Sequence, residues 1–170
     1  MANKMTFKVE GPVLIMEREF DAPRELVYEA HTTAEHLKHW WGPRGWILSA
    51  CTVDFRPEGV WHYCMKCIDQ NQGDFYGLES WGKAVYKEIV RSEKLAYMDY
   101  FSDAEGNEAE GMPASKFDMT FEQLDGSKTK ITSRAKYESE EALKKVMEMG
   151  MEQGISETSD RLEEYLKTRQ

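Results

Sequence analysis

Between Lys128 and Lys167 the chain reads KTKITSRAKYESEEALKKVMEMGMEQGISETSDRLEEYLK, and the spacing of its apolar residues changes part-way along. Up to Tyr137 the period is two. Thr129, Ile131, Ser133, Ala135 and Tyr137 fall on one side, and Lys128, Lys130, Thr132, Arg134 and Lys136 on the other. Strand side chains alternate between faces, so this segment reads as a strand with one dry and one wet face. After Ser139 the period becomes helical. Leu143, Val146, Met147, Gly150, Met151, Gly154, Thr158, Leu162, Tyr165 and Leu166 recur on one stripe. Ser139 is placed to cap the helix, and Glu140 and Glu141 lie at its positive end, four residues before Lys144 and Lys145. The spacing predicts one helix of roughly 28 residues, about 42 Å long, enough to cross a whole sheet.

Working back from that stretch, Phe117, Met119 and Phe121 alternate with Lys116, Asp118, Thr120 and Glu122, and Leu124-Asp125-Gly126-Ser127 reads as the hairpin turn. Residues 46–54, 59–68, 79–90 and 94–101 read as further strands, the last two joined tightly at residues 91–93. Within 59–68, Trp61, Tyr63, Met65 and Cys67 share a face opposite His62, Cys64 and Lys66. The acidic stretch 102–112 (SDAEGNEAEGM) reads as an exposed loop. Residues 13–20 (VLIMEREF) form the opening strand, which residues 5–9 extend. Asp21-Ala22-Pro23 starts a short helix with Leu26, Val27 and Ala30 on its apolar face. Thr32-Thr33-Ala34-Glu35 matches a capping box and opens a second helix carrying Leu37, Trp40 and Trp41, which Gly42-Pro43 stops. One-sided strands in series mean an antiparallel sheet covered on one face. The expected class is α+β: a curved antiparallel sheet of six or seven strands wrapped around a long C-terminal helix, with two short helices after the first strand. No repeat or linker interrupts residues 1–170, which read as one domain.

Composition narrows the partners. The chain has 170 residues, 41% hydrophobic and 31% charged, with a net charge of −9. That charge disfavours nucleic acid, whose affinity comes mainly from lysine and arginine neutralising phosphates, and disfavours an anionic membrane surface. No run of about 20 apolar residues exists to span a membrane. The opening Met1 to Phe7 has no apolar core of a leader. Three cysteines, Cys51, Cys64 and Cys67, are an odd number in a chain large enough to fold without bridges. They read as free thiols in a reducing cytoplasm, the expected location.

The local sequence resembles a known superfamily. Arg18-Glu19-Phe20-Asp21-Ala22-Pro23-Arg24-Glu25-Leu26-Val27-Tyr28 is similar to the opening of the START-like, helix-grip (SRPBCC) superfamily. Glu35-His36-Leu37-Lys38-His39-Trp40-Trp41-Gly42-Pro43 resembles its second-helix signature, and Val53 to Trp61 (VDFRPEGVW) its strand–turn–strand. Gly150 to Gly154 and Arg161 to Leu166 resemble its closing helix. The best match is the branch homologous to the C-terminal domain of the activator of heat-shock protein 90 ATPase, over residues 13 to 167. The resemblance implies a fold that in relatives binds lipids, polyketides, plant hormones or other hydrophobic ligands. A few relatives are cyclases or hydrolases, and some eukaryotic ones are co-chaperones that carry a further N-terminal domain. A chaperone partner and an in-cavity acid catalyst are therefore the two alternatives to ligand binding.

Four features are candidates for function. The first is a cavity between sheet and helix, where Met is adaptable to irregular ligands and Gly150 and Gly154 would admit close approach to the helix; the same residues would also fill a solid core. The expected wall is Trp40, Trp61, Tyr63, Tyr97, Phe117, Met119, Met147, Met151 and Ile155, with Trp41 and Trp46 near one mouth. The second is Asp99, between Tyr97 and Phe101: a buried carboxyl that anchors a ligand or works as an acid if it points inward, and a solvated or arginine-paired residue if it does not. The third is His31, His36 and His39 with Glu35, whose spacing could hold zinc but which read better as surface histidines, with no H-E-x-x-H pattern present. The fourth is Cys64-Met65-Lys66-Cys67. On a strand its thiols point to opposite faces, so neither a bridge nor a chelate is expected. No metal or other cofactor is implied, and no phosphate loop or nucleophile elbow appears. The expectation leans away from an enzyme, toward a domain enclosing a small hydrophobic molecule.

Overall fold

Each alternating run finds its hydrogen-bonding partner in a neighbouring run, and the result is one antiparallel sheet. A computed structural model describes residues 4–170. Residues 1–3, the start of the segment read against a leader, lie outside the described residues. The strands are β1 (Thr6–Glu10), β2 (Val13–Phe20), β3 (Trp46–Val53), β4 (Val60–Cys67), β5 (Glu79–Val90), β6 (Lys94–Ser102), β7 (Ser115–Leu124) and β8 (Lys128–Tyr137). Their order across the sheet is β1-β2-β8-β7-β6-β5-β4-β3. The helices are α1 (Arg24–Thr32), α2 (Ala34–Trp40), α3 (Glu140–Glu148) and α4 (Met151–Lys167), with a 3-10 helix at Gln70–Phe75. The α+β, helix-grip class is the one the sequence predicts. Register shifts between Leu48 and Ala50 and between Tyr86 and Glu88 mark bulges, which bend and twist a sheet.

The structure departs from the sequence reading in four places, the first being the strand count, eight where six or seven are expected. Residues 5–9 do not extend the next strand. They lie in β1, folded back as a hairpin in which Glu10 pairs with Val13 across Gly11-Pro12. Gly11 stands at φ 58, a left-handed conformation that glycine adopts at little cost. The capping box is not made: Thr33 is the N-cap of α2 without a side-chain bond, and the Thr32 hydroxyl donates to the Tyr28 carbonyl at 3.1 Å. The loop after β6 is mostly exposed, as expected, and folds back over the outer face of the sheet. The Lys83 ammonium donates to the Gly106 carbonyl at 3.2 Å, and the His62 ring lies 3.0 Å from the Asp103 carbonyl.

The fourth departure matters most. The predicted single helix is two, separated at Gly150, which takes φ 87 and ψ 23. Its N–H donates to the Met147 carbonyl at 3.1 Å, closing α3 in the way a left-handed glycine ends a helix. Ser139 does cap α3, its hydroxyl accepting from the Ala142 N–H at 3.1 Å.

The break lets the two helices do different work. α3 packs directly on β2 and β8, while α4 packs on α2. Leu143 and Val146 of α3 join Leu14, Met16, Ala135 and Tyr137 in one buried cluster. Leu162 and Leu166 of α4 join a larger one with Phe20, Val27, Leu37, Trp40, Trp61 and Tyr86. The start of α4 touches the sheet where Met151 accepts from the Tyr137 hydroxyl at 3.6 Å, and farther along long side chains tie the helix in place. Arg18 of β2, 3% exposed, reaches Asp160 of α4 at 2.7 Å, with its guanidinium 5.1 Å above the Phe20 ring. Arg161 donates to the carbonyls of Gly42, Pro43 and Trp46 at 2.7, 3.2 and 3.0 Å, pinning the loop after α2 onto α4.

Candidate functional site

Between the sheet and α4 a cavity of about 400 Å³ remains. Its sheet wall follows from the alternation. Trp61, Tyr63 and Met65 come from β4, Tyr97, Asp99 and Phe101 from β6, and Ser115, Phe117 and Met119 from β7. Trp40, Trp41, Gly42 and Pro43 close one side, and Met149, Gly150, Met151, Gly154 and Ile155 close another. Met149 is 56% exposed, so the wall meets solvent beside the helix break.

The aromatic wall is ordered by ring contacts. Trp41 meets Trp61 edge-on at 4.7 Å, Trp61 meets Tyr63 at 4.5 Å, and Tyr97 stacks on Phe117 at 5.1 Å. The Trp40 indole N–H donates to the Ala30 carbonyl at 3.0 Å, which fixes the α1–α2 corner under the cavity. Gly82 faces the Tyr63 ring. A Cβ there would lie 2.5 Å from the phenol carbon and oxygen, so only glycine lets Tyr63 lie across β5 toward β6.

Among the described residues, Asp99 is the one carboxylate on this wall, and His31 the one imidazole. Asp99 sits in register between Ala84 of β5 and Ser115 of β7, and Ser115 in turn faces Tyr137 of β8. It is half-buried and lines the cavity, and among the described residues it meets no arginine. Among the described residues no hydrogen bond or ion pair reaches its carboxyl. Burial alone pushes its pKa up to about 7. Tyr63 and Tyr97 are held well above the ordinary phenol value, and Tyr137 is raised to about 12, first by burial and then by the Asp99 charge.

The structure brings eight of the nine expected wall residues to the cavity: Trp40, Trp61, Tyr63, Tyr97, Phe117, Met119, Met151 and Ile155. Met147 is the exception. With the helix broken at Gly150, it stays with α3 and packs beside Leu14 and Ala135. Trp41 lines the cavity. Trp46 does not: its indole N–H donates to the Gln72 side chain at 3.2 Å and its ring meets Phe75. Gly150 lines the cavity at the helix break, with open space where a Cβ would stand. Gly154 is approached by Pro43, 3.6 Å from a would-be Cβ.

His31 corrects the surface-histidine reading. Its ring meets Trp40 and Phe121 at 4.9 and 5.4 Å on the cavity wall. Nδ1 lies 2.8 Å from the Val27 carbonyl, which only accepts, so Nδ1 carries the proton. Burial holds this imidazole neutral, with its pKa down at about 4. His36 bonds the Tyr165 hydroxyl and His39 stacks on the Tyr165 ring at 5.1 Å. No cluster of metal-ligating side chains occurs among the described residues. Cys51, Cys64 and Cys67 are free thiols. Wall residues the sequence reading missed include Met16, Phe20, Phe101, Ser133 and Tyr137. Phe101 and Tyr137 could have been found, because they continue the alternation of Tyr97 and Ala135.

Relatives share this architecture. The structure superposes on a protein from Arthrobacter aurescens with a TM-score of 0.84 at 25% identity, covering 96% of this chain and 91% of that one. A protein from Staphylococcus epidermidis gives 0.81 at 25% identity, covering 98% and 96%. Protein Ms6760 of Mycobacterium smegmatis gives 0.80 at 24% identity, covering 94% and 93%, a likeness of fold. No curated protein matches the chain. The family model described as activator of Hsp90 ATPase homolog 1-like protein matches residues 21–167. With the matched residues running from the start of α1 to the end of α4, the chain belongs to the activator of Hsp90 ATPase homolog 1-like family.

Proposed function

We propose that the protein is a non-enzymatic binding domain that encloses a small hydrophobic molecule between its sheet and its C-terminal helices. The observation that carries this reading is the cavity of about 400 Å³ walled by Trp, Tyr, Phe and Met. Ligand pockets commonly occupy about 300–1,000 Å³ with such a lining. The space meets solvent beside Met149, and water held deeper in it is poorly paired, because ordered water needs two to four polar partners and most of this wall offers none. A lipophilic molecule gains about 25 cal/mol per Å² of apolar area it hides.

Thermal melting against a panel of neutral aromatic and aliphatic compounds tests the reading. A ligand at a hundredfold excess over its Kd adds about 2.7 kcal/mol. At this chain length that is a rise of about 5–10 °C in Tm. Met151→Trp, which fills the cavity from α4, removes the rise. No shift across the panel overturns the proposal.

A second reading, a partner of a heat-shock protein 90 chaperone, is favoured by one feature. Ile68, Phe75, Tyr76 and Leu78 stand exposed together around the 3-10 helix after β4. Unchanged chaperone ATPase turnover in the presence of the protein disposes of it. Acid catalysis on a bound molecule draws on Asp99 among its tyrosines, and fails if Asp99→Asn leaves turnover of an identified substrate intact.

A further inference from the structure

We infer that the molecule this cavity selects carries a cationic amine, seated against Asp99, and that organic anions are excluded. The inference rests on the binding reading above and names the class of ligand. Three observations converge on it. Among the described residues, Asp99 is the one side chain on the wall that bears a charge near neutral pH, and no lysine or arginine lines the cavity. Its half-buried carboxyl has no hydrogen-bond or ion-pair partner among the described residues, and a partly desolvated carboxylate gains from a donor. Tyr63 and Tyr97 lie within reach of its charge and Phe101 follows it on the same face of β6, and aromatic rings attract cations. An ammonium group supplies the missing donors, and the rings hold the rest of its charge. A carboxylate or phosphate would meet a like charge at Asp99, and Arg18, buried on β2 between Met16 and Phe20, is already paired with Asp160.

The pairing depends on pH. The titratable groups near Asp99 are Tyr97 on its own strand, Tyr63 from β4 and Tyr137 from β8, all raised and all neutral through the physiological range. Facing it, β5 presents Ala84 and β7 presents Ser115, and the wall residues of α4 carry no titratable group. His31 is neutral above about pH 4. Below about pH 7 Asp99 takes up a proton and loses its hold on a cation.

Isothermal titration with naphthylmethylamine, naphthylmethanol and naphthoate separates the outcomes, since the three share a ring and differ in the head group. At about pH 8.5 the amine is expected to bind at least about tenfold tighter than the alcohol, and naphthoate at least about tenfold weaker, the size of one desolvated charge pair. In Asp99→Asn the ratio of amine to alcohol affinity collapses toward one. In the wild type it falls in the same direction at about pH 5.5, which serves as the check should the variant not fold. Equal affinity for amine and alcohol overturns this inference and leaves the binding reading standing. So does a ratio indifferent to both Asp99→Asn and pH. Failure of all three probes to bind overturns both.

Discussion

Asp99 and His31 face the same interior space and titrate in opposite senses. Asp99 is raised from 3.8 to about 7, so between those values the folded protein holds a proton that the unfolded chain has released. Its contribution to stability is therefore greatest in acid and is lost as pH rises through that window. His31 is lowered from 6.5 to about 4, so the unfolded chain holds a proton that the folded protein lacks. Its contribution is present above about pH 6.5 and is lost as pH falls toward 4. Across the shared range the two slopes cancel in the wild type. Asp99→Asn removes one of them. The variant is expected to melt above the wild type at about pH 7.5 and to lose that advantage on acidification, with a difference slope of up to about 1.4 kcal/mol per pH unit. Melting curves of both proteins across pH check this, and parallel curves would contradict it.

At the scale of elements, the strands were legible because each has one buried face and so keeps its period of two. The same alternation placed Trp61, Tyr63, Tyr97, Phe117 and Met119 on the inner face. The broken helix was not legible, because the apolar stripe of α3 continues in phase into α4 and hides the break. Only the conformation of Gly150 distinguishes two helices from one, and Met147 was misplaced for that reason. His31 was misread because its cover comes from Phe121, distant in sequence. Asp99 alternates with Tyr97 and Phe101, so its inward aim could be read. The lack of a partner could not, since that depends on which residues neighbouring strands bring up. The cavity likewise depends on how far α4 stands from the sheet, which the Arg18 and Arg161 contacts hold. Gly150→Ala tests the helix break. The new Cβ has nothing within 4 Å, so the effect is purely conformational. A left-handed residue other than glycine costs about 1–2 kcal/mol, or a Tm lower by roughly 2–8 °C. A higher Tm would mean that one continuous helix is the better structure.

For the whole molecule, the cavity lies where two buried clusters fail to merge, one built on α3 with β2 and β8, the other on α1, α2 and α4. Phe117 packs against both and also lines the space between them. A bound molecule would complete a single core, so binding and stability are coupled. Methionine methyl groups report on that space directly. Met5, Met16, Met65, Met119, Met149 and Met151 line it, whereas Met98 and Met112 do not. The most direct test is a methionine-methyl NMR titration of the protein with naphthylmethanol, assigned by single substitutions. The expected result is a saturable shift at the lining methyls, with Met98 and Met112 unmoved and the response abolished in Met151→Trp. Shifts confined to Met98 or Met112, or none at saturating probe, would contradict the claim that the cavity is the binding site.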